Sequence, residues 1–235
     1  MITLKKKPNK MDKKIKTIKT VKKVLLGALA LTLVCSISLA VGTFYPNPWV
    51  KKDIVDNKEK SMISEWKSYG LFAPAIEYST NTEFVLAVGK CIGYHNLMLS
   101  HDKRIPRDII VAMAVLETGY GKSRFAKEAN NLFGIRTWDP KTPQLKPLDL
   151  PKANFGVKKY KTKCDSVKDM IDIINRISAY NDFRLLRIEQ LKTGKLNVSQ
   201  LIDQLHKWST NPKYTMLVKS KAKAVEKILI KHYGQ

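Results

Sequence analysis

The chain has 235 residues, which is enough for one domain with a core of ordinary size and an additional segment. Its formal net charge is +23, and the excess lysine is spread along the chain. Such a charge favours a polyanionic partner, either nucleic acid, an anionic membrane or an anionic wall polymer. The sequence contains no basic and aromatic module of a nucleic-acid-binding fold, so we expect a membrane or wall partner and no nucleic acid.

The cysteines and histidines exclude the common structural metal sites. The chain has three cysteines and four histidines, without a recognised metal-ligand spacing. We therefore expect no metal and no other cofactor. Cys35 lies in an apolar segment. Cys91 and Cys164 remain, and they form either a disulfide in an oxidising compartment or two free thiols.

The first 45 residues divide into a charged part and an apolar part. Residues 1–23 hold ten Lys and one Asp and are too polar to fold alone. Residues 24–45 are almost wholly apolar and reach the length of about 20 residues that a helix needs to cross a bilayer. Because the lysines precede this segment, the positive-inside rule places the lysine-rich lead in the cytoplasm and the rest of the chain across the membrane.

Two interpretations of the apolar segment stay open. It is either a signal anchor that tethers the chain, or a cleaved signal peptide in which Ser38-Leu39-Ala40 forms a small-x-small cleavage site. The length of the segment favours the anchor, so we expect one transmembrane helix.

The next elements lead into the folded part of the chain. Residues 46–79 are expected to form a linker with a helical extension, since prolines interrupt the helix there. A helix is expected over 80–99, where apolar residues recur at three- and four-residue steps. Pro106 opens another helix, and its long apolar run closes at Glu117, just before Gly119.

The segment that follows has the features of a short helix, a turn and a β-hairpin. Ser123 caps the short helix, and a tight turn rich in Asn and Gly ends at Gly134. Residues 135–138 and 155–160 alternate in polarity like two strands, and a proline-rich loop separates them.

The last third of the chain is expected to be helical. A helix begins with Ser166 and Asp169, which resemble a capping box, and three more helical stretches follow. We therefore expect a mainly α domain of the α+β class.

Glu117 is the first candidate for chemistry. It lies in the last turn of an apolar helix, where both burial and the negative helix end disfavour the ionised carboxylate. These influences raise the pKa of a carboxyl group, and a carboxylic acid that stays protonated near neutral pH can act as a general acid. A glutamate at a helix end can equally turn into solvent, which is the simpler interpretation of this residue taken alone.

Three short motifs in fixed order change that balance. They are Glu117-Thr118-Gly119-Tyr120-Gly121, Ser123-Arg124-Phe125-Ala126 and Asn130-Asn131-Leu132-Phe133-Gly134. This pattern resembles the signature of the bacterial glucosaminidase family, the glycoside hydrolase family 73-like group, and within it the Bax-type proteins. The resemblance runs from about Ile105 to about Tyr214.

The resemblance implies a lysozyme-like helical domain over residues 80–235, with a small β-hairpin flanking the cleft and a transmembrane helix before it. It implies an endo-β-N-acetylglucosaminidase that cleaves β-1,4 bonds of peptidoglycan after N-acetylglucosamine. The partners would be glycan strands and, through the N-terminal helix, the membrane, and we expect a monomer. The location would be the cell inner membrane, single-pass, with the catalytic domain on the periplasmic side.

The resemblance also assigns site residues. Glu117 matches the general acid, and Tyr180 matches a tyrosine that assists catalysis. The substrate-binding residues implied by position are mostly aromatic: Tyr120, Asn131, Phe133, Trp138, Tyr160, Trp208 and Tyr214. Trp208 stands where Bax-type relatives have a tyrosine, and Asn131 is expected mainly to shape its turn.

The second carboxylate of a glycosidase is less well defined by the sequence. Asp139, beside Trp138, is the best-placed candidate, although an ordinary solvated loop residue explains it as well, and Asp165 is expected to be a helix cap. A mechanism with one glutamate, assisted by the substrate's own 2-acetamido group, is the alternative. Two rival functions stay open, namely a lytic transglycosylase on the same fold and a wall-binding scaffold without catalysis.

Overall fold

The computed structural model describes residues 10–44 and 48–234. The part of the predicted lysine-rich lead before Lys10, the last residue of the predicted transmembrane segment (45), residues 46–47 of the predicted linker and residue 235 lie outside this described part. The chain divides into two compact units, one up to Glu65 and one from Trp66 onward. The domain boundaries predicted from the sequence stay predictions.

The first unit consists of helical segments. Helix α1 spans Lys10–Phe44, and within it Thr17–Leu39 is long and apolar enough to cross a membrane. Its side chains are exposed over this stretch, as expected of a segment whose partner is lipid. A signal sequence would meet the same criteria. Helix α2, Pro48–Ser68, carries the chain from the first unit into the second.

The second unit is mostly helical. Its helices are α3 (Asn81–Leu97), α4 (Arg107–Thr118), α5 (Arg124–Glu128), α6 (Lys163–Arg176), α7 (Asn181–Thr193), α8 (Val198–Asp203) and α9 (Tyr214–Tyr233). Short 3-10 turns occur at His101–Lys103, Ser178–Tyr180 and His206–Trp208. The predicted mainly α class is confirmed.

Helix α4 lies at the centre of the core. Every residue from Ile109 to Val115 is buried, and α4 packs against α9 and α3. Because the helix is apolar on all sides, it is stable only when neighbours surround it. This arrangement places its C-terminal residue pair, Glu117 and Thr118, where the core meets the surface.

Capping side chains fix where two of the helices begin. Thr80 and Glu83 form a capping box at α3, as the predicted start of that helix requires. At α6 the capping box is Thr162 and Asp165. The predicted pair Ser166 and Asp169 was therefore wrong by one helical turn, and Asp169 is free for another contact described below.

A small sheet follows the short helix α5. Strands β1 (Arg136–Thr137), β2 (Gln144–Leu145) and β3 (Gly156–Lys158) pair antiparallel in the order β1-β3-β2. The predicted pairing of β1 and β3 is confirmed. The added strand β2 lies in the proline-rich segment that was expected to be a loop between the two strands.

A disulfide joins two helices of the second unit. Cys91 on α3 is bonded to Cys164 on α6, and both are buried. His95 Nε2 lies 3.4 Å from Cys164 Sγ. The possible metal-ligand atoms of Cys91, His95 and Cys164 lie within 4.8 Å of one another. The two sulfurs are bonded to each other in the disulfide, however, and offer no thiolate to a metal.

Candidate functional site

The end of α4 is held by a short network around Thr118. Thr118 Oγ1 donates to the carbonyl of Ala114 at 2.6 Å and accepts from the amide of Gly121 at 2.7 Å. Gly119, Tyr120 and Gly121 all have positive φ, so the chain turns sharply once the helix ends. The turn therefore fixes Glu117 in the last turn of α4.

Gly121 is needed for its backbone conformation and for its lack of a side chain. Tyr78 donates its hydroxyl to the Gly121 carbonyl at 2.9 Å. A Cβ at Gly121 would lie 2.8 Å from Phe84 Cε2 and would clash with the Tyr78 hydroxyl. The second glycine of the Glu-Thr-Gly-Tyr-Gly motif is thus explained by packing against Tyr78 and Phe84.

Gly121→Ala is expected to destabilise the protein by about 3 kcal/mol, because positive φ and overpacking each cost about 1–3 kcal/mol. Gly119→Ala is the matched control, since Gly119 also has positive φ but has no atom within 4 Å of an added Cβ. We expect that control to cost only about 1–2 kcal/mol. Thermal unfolding followed by circular dichroism measures both. Equal losses would contradict the packing role of Gly121.

Glu117 combines access to solvent with a desolvated carboxyl group. The residue as a whole remains exposed. Desolvation by the surrounding protein nevertheless raises the pKa of its carboxyl group. The nearby polar groups of Tyr214 and Trp208 favour the ionised form and so act in the opposite direction. None of these influences comes from a second carboxylate. Glu117 thus has the environment expected of a proton donor that substrate can reach.

Tyr214 has an unsatisfied hydroxyl that faces Glu117. The residue is 4% exposed, and its Oη has no hydrogen-bond partner within 3.5 Å among the described residues. Burial, and then the charge of Glu117, raise the pKa of Tyr214 well above its ordinary value. The phenol therefore stays protonated and can donate a hydrogen bond, either to Glu117 or to a bound group.

Tyr180 and Trp208 complete this cluster. Their ring centroids are 6.3 Å apart, and Tyr180 also acts electrostatically on Tyr214. Burial raises the pKa of Tyr180. The cluster therefore presents one carboxyl group, two phenols and one indole, a combination that suits a ring with hydroxyl and amide substituents.

The other predicted residues form a second group around the sheet. Asn131 is fully buried, and its amide contacts four backbone groups: it donates to the carbonyls of Ile135 and Lys158 and accepts from the amides of Phe133 and Ile135. Phe133 is 2% exposed and lies in the core. Asn131 therefore holds the turn together, and Phe133 packs in the core; both side chains are shielded from solvent.

Asp139 and Trp138 lie at the exposed edge of the same sheet. Asp139 accepts from the Lys141 amide at 2.9 Å and from the Thr142 hydroxyl at 3.0 Å. These contacts close a tight turn. Trp138 is 62% exposed and packs its ring against Phe155. Within the described residues no hydrogen bond or ion pair joins Asp139 to the Glu117 cluster.

Tyr160 is held by a charged pair. Its hydroxyl donates to Asp169 at 2.6 Å, and Lys158 forms an ion pair with the same carboxylate oxygen at 2.6 Å. Asp169 thereby fixes β3 and the residue that follows it to α6. Sequence reasoning missed this role because it assigned Asp169 to a helix cap.

The interactions above thus link Glu117, Tyr180, Trp208 and Tyr214, whereas the contacts described for the other predicted residues are with different neighbours. Tyr120 packs edge-on against Phe84 with ring centroids 6.2 Å apart. Asp165 caps α6, as expected. Tyr78 was not identified from the sequence, because its segment has no pattern that marks it.

The chain is similar to several known proteins. Residues 95–227, more than half of the chain, match the glucosaminidase family, described as mannosyl-glycoprotein endo-beta-N-acetylglucosaminidase. Protein bax of Escherichia coli (strain K12) is 27% identical over 119 residues, which are 50% of this chain and 42% of that protein. The match therefore spans less than half of that relative's length.

A solved structure is also similar. The catalytic domain of the autolysin Auto from Listeria monocytogenes matches 69% of this chain and 94% of its own length, with 16% identity and a TM-score of 0.46. The family match includes α4, the three motifs and the cluster around Glu117. The chain belongs to the glucosaminidase family of glycosidases.

Proposed function

We propose that the chain is a peptidoglycan hydrolase that cleaves the β-1,4 glycosidic bond after N-acetylglucosamine. One observation carries the proposal: a carboxyl group with a raised pKa lies at the end of α4, reachable by solvent, beside a buried phenol whose hydroxyl makes no hydrogen bond shorter than 3.5 Å within the described chain. Family membership supports the choice of a glycan substrate.

In the proposed mechanism, Glu117 donates its proton to the glycosidic oxygen while the bond from that oxygen to the anomeric carbon breaks. The oxygen of the substrate's 2-acetamido group stabilises the positive charge on the sugar. Water then adds its hydroxyl to the anomeric carbon and returns a proton to Glu117. The phenols of Tyr180 and Tyr214 position the substrate and the carboxyl group.

The mechanism assisted by the 2-acetamido group needs no second carboxylate. Substitution of Asp139, the candidate for that second carboxylate, tests whether one is needed. Asp139→Asn keeps one oxygen that can accept from the Lys141 amide, and its NH2 group can donate to the Thr142 hydroxyl oxygen, so folding should be unchanged. We expect turnover of peptidoglycan within about threefold of wild type, because a solvated turn residue contributes little. A loss of about 100-fold or more would identify Asp139 as a catalytic carboxylate.

The product ends test the proposed bond. Purified peptidoglycan is digested with the full chain, and the fragments are reduced with borohydride and analysed by mass spectrometry. We expect reducible N-acetylglucosamine ends. Reducible N-acetylmuramic acid ends would contradict the bond assignment, and a protein that binds the polymer without releasing fragments would be a wall-binding scaffold.

A lytic transglycosylase is the second candidate function. A transglycosylase needs only one acid, because a hydroxyl of the sugar itself attacks the anomeric carbon. In agreement with this, none of the groups that shift the pKa of Glu117 is a carboxylate. The same digestion distinguishes the two, because a transglycosylase leaves anhydro ends that borohydride does not reduce.

We further propose that the protein is exported and held in the cell inner membrane by the apolar segment Thr17–Leu39. A substrate in the cell wall requires the enzyme outside the cytoplasm, and the positive charge before this segment sets its direction. Fractionation tests the anchor: we expect the uncleaved chain in the membrane fraction. A mature soluble form that begins near Val41 would show a cleaved signal peptide instead.

A further inference from the structure

A second concave site lies at the opposite end of α4 from Glu117. It is a surface cavity of about 650 Å³ in the second unit, lined in part by Trp66, Phe72, Tyr94 and Tyr233. Arg107, the first residue of α4, also lines it. The rise of about 1.5 Å per residue along the 12-residue helix separates Arg107 from Glu117 by about 15 Å. The cavity is therefore distinct from the proposed catalytic cluster.

The charges of this cavity are all positive. Lys90, Arg104 and Arg107 line it, and no Asp or Glu is among the lining residues. Within the described residues these three cations make no ion pair with a carboxylate. Since like charges repel when they are brought together, the arrangement favours an anionic occupant.

Arg107 is held in place before any ligand arrives. Its guanidinium lies over the Tyr233 ring at 5.2 Å from the centroid. It also lies against Gly93, where an added Cβ would come within 3.1 Å of Nη2. The glycine on α3 thus leaves room for the guanidinium, and the cation is preorganised at the cavity wall.

The rim of the cavity is apolar and exposed. Leu71, Phe72 and Leu97 line it and are 50%, 63% and 60% exposed, and Tyr69 beside them is 71% exposed. Apolar and aromatic side chains surrounded by cations are typical of surfaces that meet anionic lipid. A soluble anionic sugar or peptide would not require exposed leucine and phenylalanine.

The chain connection favours the same partner. Along the chain, α2 leads from the candidate membrane segment directly to Trp66 and the 70–74 segment of the cavity wall, before any other part of the second unit. We propose that this cavity and its rim dock on the anionic phospholipid of the bilayer, with Lys90, Arg104 and Arg107 binding headgroup phosphates. The inference rests on the proposed membrane location.

The test uses the full chain in nanodiscs, with Cys35→Ser so that a cysteine placed at Leu97 is the one free thiol of the described chain. A fluorophore on Leu97→Cys reports quenching by spin-labelled lipid. We compare discs of phosphatidylglycerol in phosphatidylcholine with discs of phosphatidylcholine alone. The matched position is Leu148→Cys, which is also an exposed leucine, at 73%.

We expect quenching at Leu97 in discs with phosphatidylglycerol, little in phosphatidylcholine, and none at Leu148. Each cation removed should lower the ratio of docked to undocked protein about fivefold. K90Q/R104Q/R107Q should therefore abolish quenching, whereas K141Q/K152Q/K161Q, with the same change in charge, should retain it. Because Arg107 packs on Tyr233, K90Q alone, at an exposed lysine, repeats the test without a packing change.

Quenching that is equal in both kinds of disc, or unchanged in K90Q and the triple variant, would overturn the proposal. So would a response of the Leu97 label to soluble peptidoglycan fragments but not to phosphatidylglycerol, which would assign the cavity to a wall ligand. Peptidoglycan digestion by the same variants in detergent should equal wild type. If the wild-type chain does not insert into discs, the proposed membrane anchor is wrong. If the wild-type chain does not digest peptidoglycan, the proposed enzymatic function is wrong. These two outcomes are therefore distinguishable from a failure of the docking proposal.

Discussion

Glu117→Gln is expected to reduce peptidoglycan hydrolysis by about 10³-fold or more, because the amide keeps the shape of the side chain but cannot donate the proton. Binding of the polymer should be retained, since the aromatic residues of the cluster are unchanged. The measurement is the initial rate of release of reducing ends, together with a pull-down of the variant by insoluble peptidoglycan.

The matched control is Glu128→Gln on the neighbouring helix α5. Glu128 is exposed and pairs with Arg124 at 3.0 Å, and a surface pair of this kind contributes about 0–1 kcal/mol. We expect its hydrolysis rate to equal that of wild type. Full activity of the Glu117 variant would remove Glu117 from the mechanism.

Replacing both Cys91 and Cys164 by alanine is expected to lower the free energy of unfolding by about 4 kcal/mol. The disulfide closes a loop with a sequence separation of 73 residues, and closing a long loop restricts the unfolded chain by about that amount. For a unit of this size the melting temperature should fall by about 10 °C. Thermal unfolding of the full chain in detergent, followed by circular dichroism, measures the change.

Cys35→Ser is the control for the disulfide, because Cys35 is an exposed free cysteine in α1. Its substitution should leave the melting temperature of the second unit unchanged. A double variant as stable as wild type would show that packing of α3 against α6 holds these helices without the covalent bond.

The end of helix α4 could be predicted because its signals lie in neighbouring residues. The end of α4 is marked by Gly119, which adopts positive φ, and by the apolar run before Glu117. Helix-end signals of this kind act within a few residues and can be read without a structure. The three motifs lead only to Glu117; Tyr180, Trp208 and Tyr214, which interact with it or with one another in the fold, were assigned by the family resemblance.

The parts that were missed depend on contacts between distant segments. Asn131 was expected to shape its turn, but its hydrogen bond to the carbonyl of Lys158, 27 residues away, was not predicted. Neither was the hydrogen bond from Tyr160 to Asp169 on the following helix. No local sequence pattern shows that these side chains form hydrogen bonds with distant segments. The strand β2 was missed because two residues are too few to establish an alternating pattern.

The start of α6 shows the same limit at short range. Thr162 and Ser166 are both hydroxyl residues followed three positions later by an aspartate, so the sequence offers two capping boxes. The structure uses the first. Ser166 is instead buried, and it accepts from the amide of Leu132 at 3.3 Å.

The pH dependence of hydrolysis tests the central claim most directly, by comparing wild type with Tyr214→Phe. Glu117 acts in its protonated form, so kcat/KM should fall as pH rises through the pKa of Glu117, which desolvation raises above its ordinary value. The nearby Tyr214 hydroxyl favours the ionised form of Glu117 and so lowers that pKa. Removing it should move the alkaline limb of the profile to higher pH. Because Tyr214 Oη makes no hydrogen bond shorter than 3.5 Å among the described residues, its removal breaks no buried hydrogen bond there, and the variant should fold as well as wild type. A limb that stays in place or moves to lower pH would contradict the account of Glu117 as the proton donor tuned by Tyr214.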